Sequence, residues 1–263
     1  MTMESLKIAI LLLLGLIYLK VASQAARSAL AHGDSFPTQV WKWPESLLTA
    51  GVVFFFLLMA IPSFTGPPGR IDLKAIESAL GLYASIILFV VGFLVFRNMN
   101  PIDAFGLRWT SWRQGFVAVV LTLALVLPPI YAAQWVGYSL SGPQTEPQPI
   151  VSFLFEHQSL RDRLSVILIA VVAAPLTEEL LFRGCLYGFL RQAAGRLVAI
   201  AVTSVLFALI HGHIPSLAGL VILAVGLSLL YEKTGSLWSP ILLHAAFNGL
   251  SIYGTLQWPD LMK

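Results

Sequence analysis

The stretch AIESALGLYASIILFVVGFLVF (75–96) runs for 22 residues with a single charge. About 20 apolar residues in a helix cross the roughly 30 Å hydrocarbon core of a bilayer. In lipid the backbone must satisfy its own hydrogen bonds, so a run like this can only be a helix within a bundle. Runs of this kind recur at about 6–24, 46–64, 75–96, 115–138, 163–192, 197–211, 215–231 and 236–258. The pattern gives an all-α, polytopic membrane helix bundle of about eight transmembrane helices. The first run is read as an uncleaved span. Pro128 and Pro129 are expected to bend or end the fourth.

Composition supports this. Only 11% of the 263 residues are charged, against about 25% in soluble domains. The net charge of +3 is spread along the chain. With no basic run, nothing points to nucleic acid. The lone cysteine, Cys185, cannot form an internal disulfide and reads as a small buried residue. SGPQTEPQPI (141–150) breaks the apolar pattern and reads as a surface loop. We therefore treat 1–263 as one integral, multi-pass membrane domain. Residues 1–145 hold the N-terminal spans, and 160–258 hold the polar residues that call for explanation. The expected setting is the plasma membrane of a bacterium or an endomembrane of a eukaryote.

Those polar residues fall into three motifs. Ionisable side chains at membrane depth are costly, face the bundle interior and mark functional sites. In TEELLFRG (177–184), Glu179 and Arg183 lie four apart and share a helix face, so they can pair. Taken alone, that pair is equally a structural ion pair. Glu178 is turned by about 100° from Glu179 and has no cation nearby in sequence, which suits a general acid or base. In FALIH (207–211), Phe207 and His211 share a face at the end of an apolar run; His213, beyond Gly212, reads as incidental. In HAAFN (244–248), His244 and Asn248 share a face inside a charge-free stretch. Arg108, in FGLRW, reads as an interfacial anchor.

One carboxylate, two imidazoles and a carboxamide on three helices suit hydrolysis of an amide: an activated water, an oxyanion support and an acid for the leaving amine. The G-x-S-x-G elbow and the H-E-x-x-H zinc signature are both missing from the sequence. Glu178, His211 and His244 could instead hold a divalent metal such as zinc with an open water position. The residues leave metal-activated and carboxylate-activated water equally open.

The ordered motifs EELLFR, FALIH and HAAFN resemble those of the CPBP family. These intramembrane proteases comprise the CAAX proteases and bacteriocin-processing enzymes, also called the Abi family. The resemblance covers about residues 160–255. It implies that Glu178 and His211 activate the water, that His244 and Asn248 support the oxyanion, and that Glu179 pairs with Arg183. On this reading 160–258 is a catalytic core. The family carries a metalloprotease label, although a metal-free glutamate mechanism is also argued for its prenyl-protein members. The expected partners are the lipid bilayer and a peptide or lipidated-protein substrate, prenylated C-termini among them. The rival reading is a non-catalytic membrane protein, either a proton-coupled carrier or a bacteriocin-immunity or scaffold protein, since intramembrane Glu, His and Arg also build proton relays.

Overall fold

The computed structural model describes residues 71–257 apart from 109–110, 143–146 and 158, together with a few isolated positions before residue 56. The two expected spans at 6–24 and 46–64 lie outside the described residues. Among the described residues there is no strand, and the helices are α1 (Leu73–Phe96), α2 (Pro101–Ala104), α3 (Trp112–Ser141), α4 (Pro149–Glu156), α5 (Leu160–Ala194), α6 (Arg196–Ile210), α7 (Leu217–Thr234) and α8 (Trp238–Gln257). A 3-10 turn, Ile214–Ser216, leads directly into α7.

The chain is an integral membrane protein with an all-α bundle. Four of its described helices are long and apolar enough to cross a bilayer: α1, α3, α5 and the continuous Ile214–Thr234. These answer to the third, fourth, fifth and seventh expected runs. The sixth run forms α6, which has only 15 residues and is about 22 Å long at 1.5 Å per residue. The eighth forms the 20-residue α8.

Two local departures from expectation have physical reasons. Pro128 and Pro129 neither end nor interrupt α3, which runs for 30 residues through both. Prolines are tolerated in spanning helices because neighbouring helices stabilise the altered backbone, and α3 packs along both α7 and α8. The second departure is in α5, which widens twice into π-helix, at Leu168–Ala173 and Leu180–Tyr187. Pro175 follows the first of these. Its ring would collide with the carbonyl four residues back in a regular helix, and a widened turn removes that collision. Between the two π segments sits a six-residue α segment, Ala174–Glu179, which carries both glutamates.

The core runs through the helix interfaces: Val90 and Leu94 of α1, Phe105, Val126 and Ile130, Phe182 of α5, Phe207 of α6, Leu223 and Leu227 of α7, and Leu243 of α8. A smaller cluster of Ile76, Phe153, Leu154 and Val166 joins α1, α4 and the start of α5. Large apolar side chains such as Leu88, Phe89, Phe96, Trp135 and Leu197 point outward, as a lipid-facing surface requires. The FGLRW segment does more than anchor at an interface. Tyr231 Oη donates to the Phe105 carbonyl at 3.1 Å, and Trp238 Nε1 to that of Leu107 at 3.0 Å, tying this loop to α7 and α8. At the far end of α5, buried Glu232 accepts from Tyr187 Oη at 2.8 Å and from Arg191 Nε, which fixes the α7 terminus to α5.

Close helix approach depends on missing side chains. A Cβ on Gly137 would meet the backbone carbonyl of Pro215, below any real contact distance. Gly137→Ala should therefore destabilise the bundle by about 1–3 kcal/mol, the usual cost of overpacking. Thermal unfolding in detergent would show this, and a melting curve matching the parent would refute the packing.

Candidate active site

The short α segment of α5 aims its two glutamates in different directions. Glu179 is fully buried. Its Oε1 accepts from Arg183 Nη1 at 3.0 Å and from His244 Nδ1 at 3.0 Å. Arg183 is also fully buried; its Nη2 donates to the Ala224 carbonyl of α7 at 3.0 Å. Its guanidinium lies over the Phe207 ring, 4.8 Å from the centroid, a favourable cation–π placement. So α5, α6, α7 and α8 meet around one buried ion pair.

Glu178 points into a different space. Its Oε2 lies 3.9 Å from His211 Nε2 and 4.0 Å from His244 Nε2, too far for direct hydrogen bonds. Glu178 is 8% exposed, and among the described residues its Oε2 has no hydrogen-bond partner. Both imidazoles are oriented by their other nitrogen. His211 Nδ1 lies 2.7 Å from the Phe207 carbonyl, a bond in which only the imidazole can donate. His244 Nδ1 likewise donates to the Glu179 carboxylate. In a neutral imidazole one nitrogen donates and the other accepts. With both rings neutral, each Nε2 therefore presents a lone pair towards Glu178. In that form three acceptors converge, an arrangement that suits a proton-bearing or cationic guest.

A divalent metal suits these donors in kind. In spacing it suits them less well. Tetrahedral zinc with ligands about 2.0–2.1 Å away sets its donors roughly 3.3 Å apart. The observed 3.9 and 4.0 Å are wider, and among the described residues no group of three or more His, Cys, Asp or Glu is placed to hold a metal. A water at hydrogen-bonding distance of about 2.8 Å bridges acceptors 4 Å apart at close to a right angle.

Asn248, four residues beyond His244, donates through Nδ2 to the Ala170 carbonyl at 2.7 Å. Ala170 lies in the first π segment of α5, where the widened ladder lets a carbonyl take an outside donor. Asn248 thus joins α8 to the wide turn just before the glutamates and keeps a second N–H for other use. Phe207 is central to the group: its ring packs at 4.8 Å from His211, 5.5 Å from His244 and 5.4 Å from Phe182. His213 turns to a separate cluster, with Nδ1 2.9 Å from Ser216 Oγ and its ring 5.8 Å from that of Tyr138. All six residues singled out in the sequence thus gather around the middle of α5. The bond from Glu179 to His244 was not anticipated. Neither were the two backbone acceptors, Ala170 and Ala224, because backbone carbonyls carry no side-chain signal.

Fold and site together define a polytopic α-helical membrane protein with a Glu–His–His centre enclosed by four helices. The chain belongs to the Rce1-like family, the type II CAAX prenyl endopeptidase Rce1-like proteins, whose model matches residues 161–250. That stretch contains all six site residues. Over 161 residues the chain is 30% identical to an uncharacterised 24.3 kDa protein of Escherichia coli, covering 58% of this chain and 69% of that protein. Over 158 residues it is 28% identical to the membrane-embedded CAAX protease MroQ of Staphylococcus aureus, covering 57% and 59%. Over 92 residues it is 26% identical to YdiL of Bacillus subtilis, covering 35% and 38%. The chain thus spans between about two fifths and two thirds of the length of these relatives. No solved structure matches it significantly.

Proposed function

We propose that this chain is an intramembrane endopeptidase that hydrolyses a peptide bond in a membrane-associated peptide or lipidated protein. The observation that carries the reading is the Glu178 carboxylate oxygen facing the Nε2 atoms of His211 and His244, with no hydrogen-bond partner among the described residues. A water has two protons to offer such a group. One goes to Glu178 as the oxygen attacks the scissile carbonyl, and an imidazole Nε2 holds the other. Glu178 then passes its proton to the leaving amine. Glu179 orients His244 and is its counter-charge if the imidazole takes up a proton; Nε2–H could then donate to the oxyanion, with the second N–H of Asn248 available beside it. A general base of this type contributes about 10²–10⁴-fold in rate.

A divalent ion held by Glu178, His211 and His244 would add Lewis acidity at the same point; the wide spacing speaks for the carboxylate route. The family and the protease name of the Staphylococcus aureus relative support the class of reaction. A prenylated C-terminus is the first substrate to try, with unmodified membrane peptides beside it.

The test is cleavage of a quenched prenylated peptide and of unmodified membrane peptides by the purified protein in detergent, with and without chelator. Cleavage that survives chelation is expected. Loss of activity with chelator, restored by zinc, would favour the metal route. Uptake into proteoliposomes that depends on Glu178, without cleavage of any peptide, would favour the carrier reading instead.

A further inference from the structure

The site as built has more acceptors than donors. Glu178 Oε2 and both Nε2 atoms accept, and Asn248 already spends one N–H on Ala170. A peptide carbonyl that gains negative charge during hydrolysis needs donors aimed at its oxygen. Among the described residues the remaining wall of the site is α1, which packs along α5 from Leu160 through Glu179. The inward stripe of α1 is set by Ile76, Val90 and Leu94, all buried. Residues seven apart return to nearly the same helix face, so Tyr83 falls between Ile76 and Val90 on that stripe. It is half-buried, while the other polar residues of α1, Lys74, Glu77, Ser78 and Ser85, are exposed. Ile76 packs with Val166 near the start of α5, and Val90 belongs to the main core with Phe182. Tyr83 is thus held at the level between them, where the glutamates sit, and it lies within electrostatic reach of the Glu178 carboxylate.

We propose that Tyr83 is a further residue of the site, its phenolic O–H donating to the carbonyl oxygen of the bound peptide from the side opposite His244. This rests on the endopeptidase reading, to which it adds a donor that none of the three motifs supplies. It also gives α1, outside the family-matched stretch 161–250, a part in the chemistry.

Two measurements test it. In the cleavage assay Tyr83→Phe removes only the hydroxyl. It should lower kcat by roughly 10²-fold, as loss of one oxyanion donor does elsewhere, with KM and the thermal midpoint little changed; Tyr83→Leu should lower kcat no further. The second measurement does not need activity. In protein labelled with 3-fluorotyrosine, Tyr83→Phe assigns the Tyr83 fluorine resonance, and Glu178→Gln should shift it. An unmoved resonance, or a Tyr83→Phe variant that cleaves at the parent rate, overturns the proposal. A shifted resonance in a protein that cleaves no peptide overturns the endopeptidase reading and the donor role with it, leaving the placement of Tyr83 beside Glu178.

Discussion

Glu178→Gln should abolish turnover while leaving the bundle intact. The substitution keeps the shape of the side chain and removes its basicity. Loss of a general base alone is worth about 10²–10⁴-fold. The replacement also changes the balance of donors and acceptors. The new amide would offer N–H groups where the structure has only the acceptor Oε2 and two imidazole Nε2 atoms. A buried acceptor without a partner is costly, so the melting temperature should stay level or rise. Glu178→Ala should lose activity to the same extent. Both should be compared with the parent by peptide cleavage and by thermal unfolding in the same detergent. A Glu178→Gln variant that cuts at the parent rate would sink the mechanism. One that fails to fold would show instead that the carboxylate is a structural element.

Arg183→Ala should behave in the opposite way and lose stability first. The guanidinium and the Glu179 carboxylate are both fully out of solvent and 3.0 Å apart. Removing one partner of such a pair leaves an uncompensated buried charge, at about 3–5 kcal/mol. The Ala224 carbonyl keeps Ser228 Oγ at 3.0 Å but loses the charged donor, and Phe207 loses the cation over its face. The damage should reach the chemistry through His244, which shares Glu179 Oε1 with Arg183. Glu179→Ala would strand Arg183 in turn. The double variant Glu179→Ala with Arg183→Ala should lose less than the sum of the two, since neighbouring charges are not additive. Thermal or denaturant unfolding of the three proteins in micelles would measure this. An Arg183→Ala protein that melts with the parent would mean the ion pair contributes nothing net.

These two expectations divide a single motif, and the division was legible in the sequence. Adjacent helix positions differ by about 100°, which separates Glu178 from Glu179, while the four-residue spacing joins Glu179 to Arg183. The split holds because Ala174–Glu179 is ordinary α-helix. The apolar runs gave the class of fold, but not the number of spans. Two of the eight runs fall outside the described residues, and the 15-residue α6 is shorter than a full crossing. Pro128 and Pro129 do not end α3 because proline chemistry is local, whereas α7 and α8 support the helix from outside. The bond from His244 to Glu179 could not be read because it links positions 65 residues apart. Helix faces show which residues share a side, not which of two adjacent carboxylates a distant imidazole will choose. Asn248 reaches α5 as His244 does, but its acceptor is a carbonyl in the wide turn of α5, and no sequence pattern marks it.

The two wide turns of α5 have a consequence for how this centre could change. A π turn corresponds to one residue more than a regular helix needs, and losing that residue closes the ladder. The wide turn takes up that residue, so closing it would leave the two sides of the helix at nearly the same angle. A deletion within Leu168–Ala173 would keep the aim of the glutamates and return the Ala170 carbonyl to the ladder, away from Asn248. A deletion within Leu180–Tyr187 would likewise keep the two sides in phase. Each segment therefore holds one residue of slack beside the same pair of side chains. A single codon lost there could tighten the backbone around the centre without re-aiming the residues that perform chemistry.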